Sequence, residues 1–398
     1  MKIAIISTLM FDTSIGGVEN HLRFMSKELK KIGHEIKIFK PVWKQEYEVS
    51  NKVIDEIEVE YINMGKKPFD LKRFSGGTVL KYLPGFLNKS IYMLSYKDVV
   101  KSVSLFNPDL VWQHDFSANI LTTKVLSRKY PTILTNHTGE YLMIKNNPVL
   151  SRALPGLLKH YSAIIGPSIE LTPDFHNRSV TIHNGVDTSK FYPLSDEKKY
   201  SLKTKIFNVD SGKFVILCPR RWAPTKGIYY LAEAIKQIDK QDEIAKEIVI
   251  AFAGSDYDGY PLYANEVNEV LKGVKNVKVV KLGNLTVEEM IRYYQVSDLV
   301  VIPSLMEAVS LSAVESMACG TPVLSTNVGG MPELINNNKD GFLVNSKSSS
   351  EIALKITELF TDSDKLNDVS ENAFLKVKER YDWSAIAEET DMLLKQML

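Results

Sequence analysis

Two glutamates, Glu307 and Glu315, stand eight residues apart at the start of the otherwise apolar run EAVSLSAVESMACGTPVLSTNVGG (307–330). A buried, unpaired carboxylate costs several kcal/mol. Either both face solvent, or something that wants a carboxylate lies against them. The preceding DLVVIPS (298–304) reads as a strand, and Ser310 suits the cap of a short helix, LSAVESMAC, ended by Gly320 and Pro322. Glu307 then lies in the strand-to-helix loop and Glu315 about a turn into the helix. The unbonded backbone N–H groups of residues 309–312 make a phosphate site. A flanking carboxylate accepts hydrogen bonds from vicinal hydroxyls such as those of a ribose or pyranose. On spacing alone, a solvent-facing Glu315 and an incidental Glu307 account for the pattern equally well.

Other groups shift that balance. PRRWAPTKG (219–227) follows the strand FVILC and leads into the helix IYYLAEAI, which sets Arg221 and Lys226 at another strand-to-helix loop on the same sheet edge. Arginine forks onto two phosphate oxygens and lysine adds a point charge, a pair suited to a diphosphate. GGVE (16–19) follows the first strand, where glycines let backbone approach a ligand. The spacing is not GxGxxG, which argues against a dinucleotide. His114–Asp115 and His137 end two further strands at their carboxyl ends. DYD (256–258) matches a metal-binding DxD, but it follows FAGS in a loop and reads as a solvated turn.

The elements that must position these groups alternate β-branched runs with amphipathic ones, the pattern of parallel sheets flanked by helices. KIAIIST (2–8), HEIKIFKP, DLVWQHD (109–115), TILTNHT (132–138) and AIIGPS (163–168) form one series of strands. FVILCPRR (214–221), EIVIAFAGSD (247–256), VKVVKLGN (277–284), DLVVIPS and TPVLSTN (321–327) form a second. The first helix places Leu22, Met25, Leu29 and Ile32 on one face, with Gly33 ending it. HNGVDTSKFYPLS (183–195) is turn-rich and separates the series. At 398 residues, two domains are expected. Ligands of such sheets sit beyond the carboxyl ends of the strands.

Composition narrows the class further. With 44% apolar and 24% charged residues the chain has the make-up of a soluble globular protein. Cys218 and Cys319 sit in apolar settings outside any CxxC pair and read as free thiols of a reducing, cytoplasmic compartment. No apolar stretch approaches the ~20 residues of a membrane span, and MKIAIISTLM lacks the features of a signal peptide. Residues 1–194 carry 25 Lys/Arg against 18 Asp/Glu, whereas the remainder carries 24 against 30. That asymmetry points to a charged partner on one side.

Glu307-x7-Glu315 followed by MACGTPVLSTNVGGMPELI, the Arg221/Lys226 loop, HNGVD (183–187) and GGVE with its helix together resemble the retaining glycosyltransferases of family 4. The resemblance spans nearly the whole chain, including the closing YDWSAIAEETDMLLKQML. It implies an α/β chain of the GT-B fold, with two doubly wound Rossmann-like domains in tandem facing a central cleft. Residues 1–190 would bind the acceptor, 191–370 the nucleotide sugar, and 371–398 would return as a helical segment to the first domain. Arg221 and Lys226 would hold the donor diphosphate, with Gly16 and Gly17 approaching it from the first domain. Glu315 would bind the ribose, and backbone near Leu285 the base. Glu307, Val309, Ser310 and Leu311 would hold sugar and phosphate, and His137 would meet the sugar. Glu307, His137, Arg221 and Lys226 are the residues expected to carry catalysis.

Two departures stand out: Ala308 and Ser310 occupy positions where the family usually has glycine, and PRRW replaces the usual GR. Arg220 is therefore an alternative to Arg221, although gapless alignment on Lys226 favours Arg221. The implied activity is transfer of a hexose-type sugar from a nucleotide to an acceptor hydroxyl with retention. No cofactor and no metal are expected, because the cations and a helix N-terminus already stabilise the leaving diphosphate. A GT-B epimerase or phosphorylase, and a non-catalytic sugar-nucleotide-binding subunit, are the competing readings. The presence of both the cationic pair and the glutamate pair favours activity.

Residues 61–101 carry eight Lys/Arg (Lys66, Lys67, Lys72, Arg73, Lys81, Lys89, Lys97 and Lys101) interleaved with aromatics. They suggest peripheral contact with an anionic membrane, at the inner face of the cell membrane, and a lipid-linked or membrane-proximal glycan acceptor. An insertion packed by its own apolar residues is the plainer alternative. Nothing resembles a nucleic-acid-binding fold.

Overall fold

The structure, a computed structural model, describes residues 1–11, 17–43, 51–65, 90–114, 116–137, 139–210, 212–255 and 259–398. They fall into two compact units. The first comprises Met1–Asn184 and Trp383–Leu398, the second Gly185–Asp382. The division thus lies at 184/185 rather than at 190/191.

Among the described residues, the first unit is built on eight strands: β1 (Lys2–Ile6), β2 (Glu35–Val42), β3 (Asn51–Ile54), β4 (Ile57–Asn63), β5 (Leu110–Gln113), β6 (Thr132–Thr135), β7 (Ala163–Gly166) and β8 (Ser179–Thr181). They lie in the order β3-β4-β2-β1-β5-β6-β7-β8, parallel throughout except for the β3–β4 hairpin. Ile3 to Ile6 are buried on both faces of the sheet, as a central parallel strand requires. The first helix, Gly17–Lys31, buries Leu22, Met25 and Leu29. Ile32, expected on the same face, lies beyond the helix end and is 40% exposed. Gly33 turns the chain with φ +101°.

The second unit holds a six-stranded, wholly parallel sheet: β9 (Phe214–Pro219), β10 (Ile248–Ala253), β11 (Lys278–Gly283), β12 (Leu299–Ile302), β13 (Val323–Thr326) and β14 (Phe342–Val344). Its order is β11-β10-β9-β12-β13-β14. Along β9, Phe214, Ile216 and Cys218 join one apolar layer while Val215 and Leu217 join the other, so helices cover both faces. Cys218 and Cys319 are buried free thiols.

The closing segment divides between the units. Residues 371–380, expected to return to the first domain, continue the helix Ser363–Arg380, which packs on Leu311–Ala318 in the second unit. The helix Trp383–Lys395 is the part that packs on Gly17–Lys31. Trp383 stacks on Phe24 with ring centres 5.6 Å apart, and buried His34 Nε2 meets Asp391 at 2.8 Å. Among the described residues, no helix is long and apolar enough to cross a membrane.

Candidate active site

Strand order reverses at β9, with β10 and β11 on one side and β12 to β14 on the other. The carboxyl ends of β9 and β12 are therefore neighbours, and a reversal of this kind opens the crevice where open α/β sheets bind ligands. The loops leaving the two strands are stitched together. Leu305 N–H (2.8 Å) and Met306 N–H (3.3 Å) both donate to the Thr225 carbonyl. Gly329, at φ +53°, passes so close beneath the Glu307 carbonyl that a Cβ would overlap it.

Glu307 is gripped at one oxygen. Its Oε2 accepts from Lys226 Nζ at 2.8 Å, from Ser304 Oγ at 3.1 Å and from Arg220 Nη2. The same Nη2 donates to Ser310 Oγ at 2.7 Å. Arg220 and Glu307 side chains are 10% and 12% exposed, and Arg220 Nε is buried with no partner among the described residues. Two cations and one carboxylate leave an excess positive charge with an unused N–H, a setting made for an anion.

Arg221, favoured from the sequence, is exposed, and Arg220 takes the inner position. The reason is local. β9 ends at Pro219 and the chain turns at once, with Arg220 N–H bonded to the Cys218 carbonyl and Ala223 N–H to that of Arg221. The turn directs residue 220 inward and residue 221 outward.

Glu315 lies half-buried in the helix Leu311–Ala318 and accepts from Tyr294 O–H at 3.0 Å. Burial pushes its carboxyl up to about 7, with the Tyr294 hydrogen bond and the Arg220 guanidinium pulling it back. Ser310 precedes this helix without capping it, its hydroxyl being engaged by Arg220. Val309 is buried, Leu311 half-buried, and Leu285, just past β11, packs partly against an apolar layer of the sheet. The structure thus brings Lys226, Glu307, Ser310 and Glu315 to one edge of the second sheet.

In the first unit, Gly17 opens the first helix and is exposed, while Gly16 and Asp115 lie outside the described residues, as does DYD 256–258 of the second unit. His114 and His137 follow β5 and β6, with His114 Nδ1 and His137 Nε2 3.2 Å apart. His21, one turn into the first helix, joins them: a ring nitrogen of each lies within 4.8 Å of the others. Burial draws the His21 imidazole down to about 4 and holds His114 and His137 well below their ordinary value. Ser304, Tyr294 and His21 escaped the sequence reading. Each is ordinary in type, and only the β9/β12 and β1/β5/β6 adjacencies give it meaning.

Two family models tile the chain: Glycosyltransferase Family 4 over residues 15–190 and Glycosyl transferases group 1 over residues 201–376. An uncharacterized glycosyltransferase of Methanocaldococcus jannaschii is 26% identical over 409 residues, covering 98% of this chain and 97% of the relative. The D-inositol 3-phosphate glycosyltransferase of Corynebacterium aurimucosum is 24% identical over 398 residues, with 94% and 90% covered. Among solved structures, sucrose-phosphate synthase from Thermosynechococcus elongatus superposes with a TM-score of 0.76 at 17% identity, over 100% of this chain and 98% of its own. Anabaena HepE, solved with UDP-glucose, gives 0.70 at 20% identity over the whole of both chains. These likenesses place the two sheets in the GT-B fold. Fold, site and both family matches agree that the chain belongs to the group 1/family 4 glycosyltransferases, a retaining family of enzymes that use nucleotide sugars.

Proposed function

We propose that the chain moves a hexose-type sugar from a nucleoside-diphosphate sugar to an acceptor hydroxyl with retention, in the synthesis of a glycan, glycolipid or surface polysaccharide. One observation carries the reading: Arg220 and Lys226 converge on Glu307 where β9 and β12 end, with the Arg220 Nε–H unused. Glu307 holds both cations. An incoming diphosphate takes them over and gains the idle N–H, and the helix N-terminus at Leu311 adds unbonded backbone donors. Glu307 is then released toward the sugar hydroxyls. As the sugar–phosphate bond breaks, charge grows on the diphosphate, where these donors strengthen most. The diphosphate itself takes the acceptor proton, on the face it leaves.

Glu315 takes the ribose hydroxyls, with Tyr294 fixing its carboxyl. The parts of Gly16, Gly17, His137 and Leu285 rest on the family resemblance. HepE, solved with UDP-glucose, makes UDP-glucose the first donor to try. A panel of UDP-, GDP- and ADP-sugars scored for slow hydrolysis without acceptor tests the proposal. One donor should be consumed. A chain that binds nucleotide yet hydrolyses none and transfers to no acceptor is a binding subunit instead.

For the acceptor we favour a lipid-linked or membrane-proximal glycan met from the cytoplasmic side. Lys97 and Lys101 project, exposed, from the helix Tyr96–Phe106, while Lys66, Lys67, Lys72, Arg73, Lys81 and Lys89 lie outside the described residues. Vesicle sedimentation should show binding to anionic lipid that weakens with salt and on neutralising Lys66, Lys67, Lys72 and Arg73. Indifference to lipid charge would favour a soluble acceptor.

A further inference from the structure

We propose that Ser304 is a positioning residue for Glu307, the fixed donor that keeps its carboxylate in place once the cations turn to the diphosphate. The inference rests on the reading above, in which Arg220 and Lys226 leave Glu307 for the donor. It adds what then holds the carboxylate where a sugar can use it. Among the described residues, Glu307 Oε2 accepts from two cations and from one neutral group, the Ser304 hydroxyl, at 3.1 Å. Both cations have an anion to go to. The serine does not, and its bond survives the exchange.

The backbone around Ser304 is clamped from both sides. Ser304 stands two residues beyond β12 and is 0% exposed. Its carbonyl accepts from the hydroxyl of Thr326, the last residue of β13 and itself 1% exposed. On the other side, the Pro303 carbonyl lies closer to Gly227 than any side chain there would allow. Leu305 N–H donates to the Thr225 carbonyl at 2.8 Å. Residues 303–305 are thus fixed between the loop after β9 and the end of β13. From that backbone the Ser304 hydroxyl reaches Glu307 through a single side-chain torsion. Lys226 and Arg220 reach it through long stems with several torsions, which are free to swing. The hydroxyl is the stationary partner and the cations are the mobile ones.

The bond also has a chemical use. All three hydrogen bonds fall on Oε2, which leaves Oε1 to accept from a sugar hydroxyl. Glu307 is 12% exposed, so without its cations and without Ser304 it would be a nearly buried charge with no donor. With Ser304 retained, the carboxylate is pinned at one oxygen and presents the other in a set direction. A group held in advance needs no reorganisation as the sugar–phosphate bond breaks. The plainer account is a buried hydroxyl that takes the nearest acceptor and serves the fold alone. The two differ in one respect: positioning acts only through Glu307.

The test uses the full chain, offered UDP-, GDP- and ADP-glucose without acceptor. The donor that wild type hydrolyses is then used with its bare nucleoside diphosphate. Ser304→Ala should lower kcat about 10- to 100-fold, as for a lost hydrogen bond to a charged group. KM for the donor and Kd for the bare diphosphate, read by calorimetry, should stay within about threefold. In a Glu307→Ala background the same substitution should change kcat less than about twofold, because nothing remains to position. Ser304→Thr keeps the hydroxyl and should recover most of the loss. Retained diphosphate binding shows that each variant's second unit is folded. Losses that multiply across the two sites, or kcat and diphosphate affinity falling together, would assign Ser304 to the fold instead. Unchanged kcat in Ser304→Ala beside a fallen kcat in Glu307→Ala overturns this role and leaves the reading of the site intact. Wild type that consumes no donor, or Glu307→Ala as fast as wild type, overturns that reading and this role with it.

Discussion

Arg220 and Arg221 have the same chemistry and adjacent positions, yet only Arg220 reaches Glu307. Replacing Arg220 or Lys226 by Ala should cost roughly 2–4 kcal/mol of transition-state stabilisation, or about 30- to 1000-fold in kcat/KM. Arg221→Ala should stay within about threefold, as for an exposed side chain. Equal losses at 220 and 221 would return the role to both. The glutamates separate differently. Glu307→Ala frees two cations for the diphosphate, so bare nucleoside diphosphate should bind at least as tightly while turnover falls. Glu315→Ala should weaken that binding, and calorimetry distinguishes the two outcomes.

Glu315 also sets a pH dependence. Its carboxyl, ordinarily at 4.5, is raised to about 7 in the fold. Between those values the folded chain holds a proton that the unfolded chain has released. Its contribution to stability is therefore full below pH 4.5, and it is lost as pH rises through 7. Ribose hydroxyls need the carboxylate as acceptor, so nucleotide affinity should run the opposite way and increase from pH 6 to 8. Glu315→Gln should flatten both trends, which melting curves and calorimetry across that range will show.

At the scale of elements, the loop after β12 depends on the turn at Gly329. A side chain there meets the Glu307 carbonyl and must also adopt φ +53°. Gly329→Ala should lower stability by about 1–3 kcal/mol and displace Glu307, so thermal melting and turnover fall together. The central strands were legible because both their faces are buried, which leaves unbroken apolar runs such as FVILC and LVVI. The β3–β4 hairpin was not. Its two-residue turn, Asp55-Glu56, has positive φ at both positions but lacks the Asn-Gly or Asp-Gly that announces such turns. Arg23 and Lys27 of the first helix hold Asp55 at 2.5 and 2.9 Å, a tertiary compensation that local sequence does not display. Strands β8 and β14 are three residues each, too short for a period to emerge. The site followed the same rule. Glu307, Glu315 and Lys226 were visible as charge in odd places, whereas Arg220 over Arg221 was decided by one turn after a strand.

At the scale of the whole molecule, the chain's last helix belongs to its first unit. Trp383, Ile386, Ala387, Leu393 and Leu394 are buried in the same apolar cluster as Ile3, Leu22, Met25 and Trp112. Asp391 reaches His34 from the same helix. The second unit closes its own layers without any of these residues. Damage to the final helix should therefore register in the first unit, more than 180 residues away in sequence. Trp383→Ala removes a 4%-exposed ring stacked on Phe24 and should cost about 3–5 kcal/mol. Calorimetry with and without nucleotide locates the loss. Nucleoside diphosphate should raise the transition of the second unit in wild type and variant alike, while the first unit's transition drops in the variant only. A variant in which both transitions fall together would mean that the units melt as one cooperative body, and that the last helix supports the whole chain.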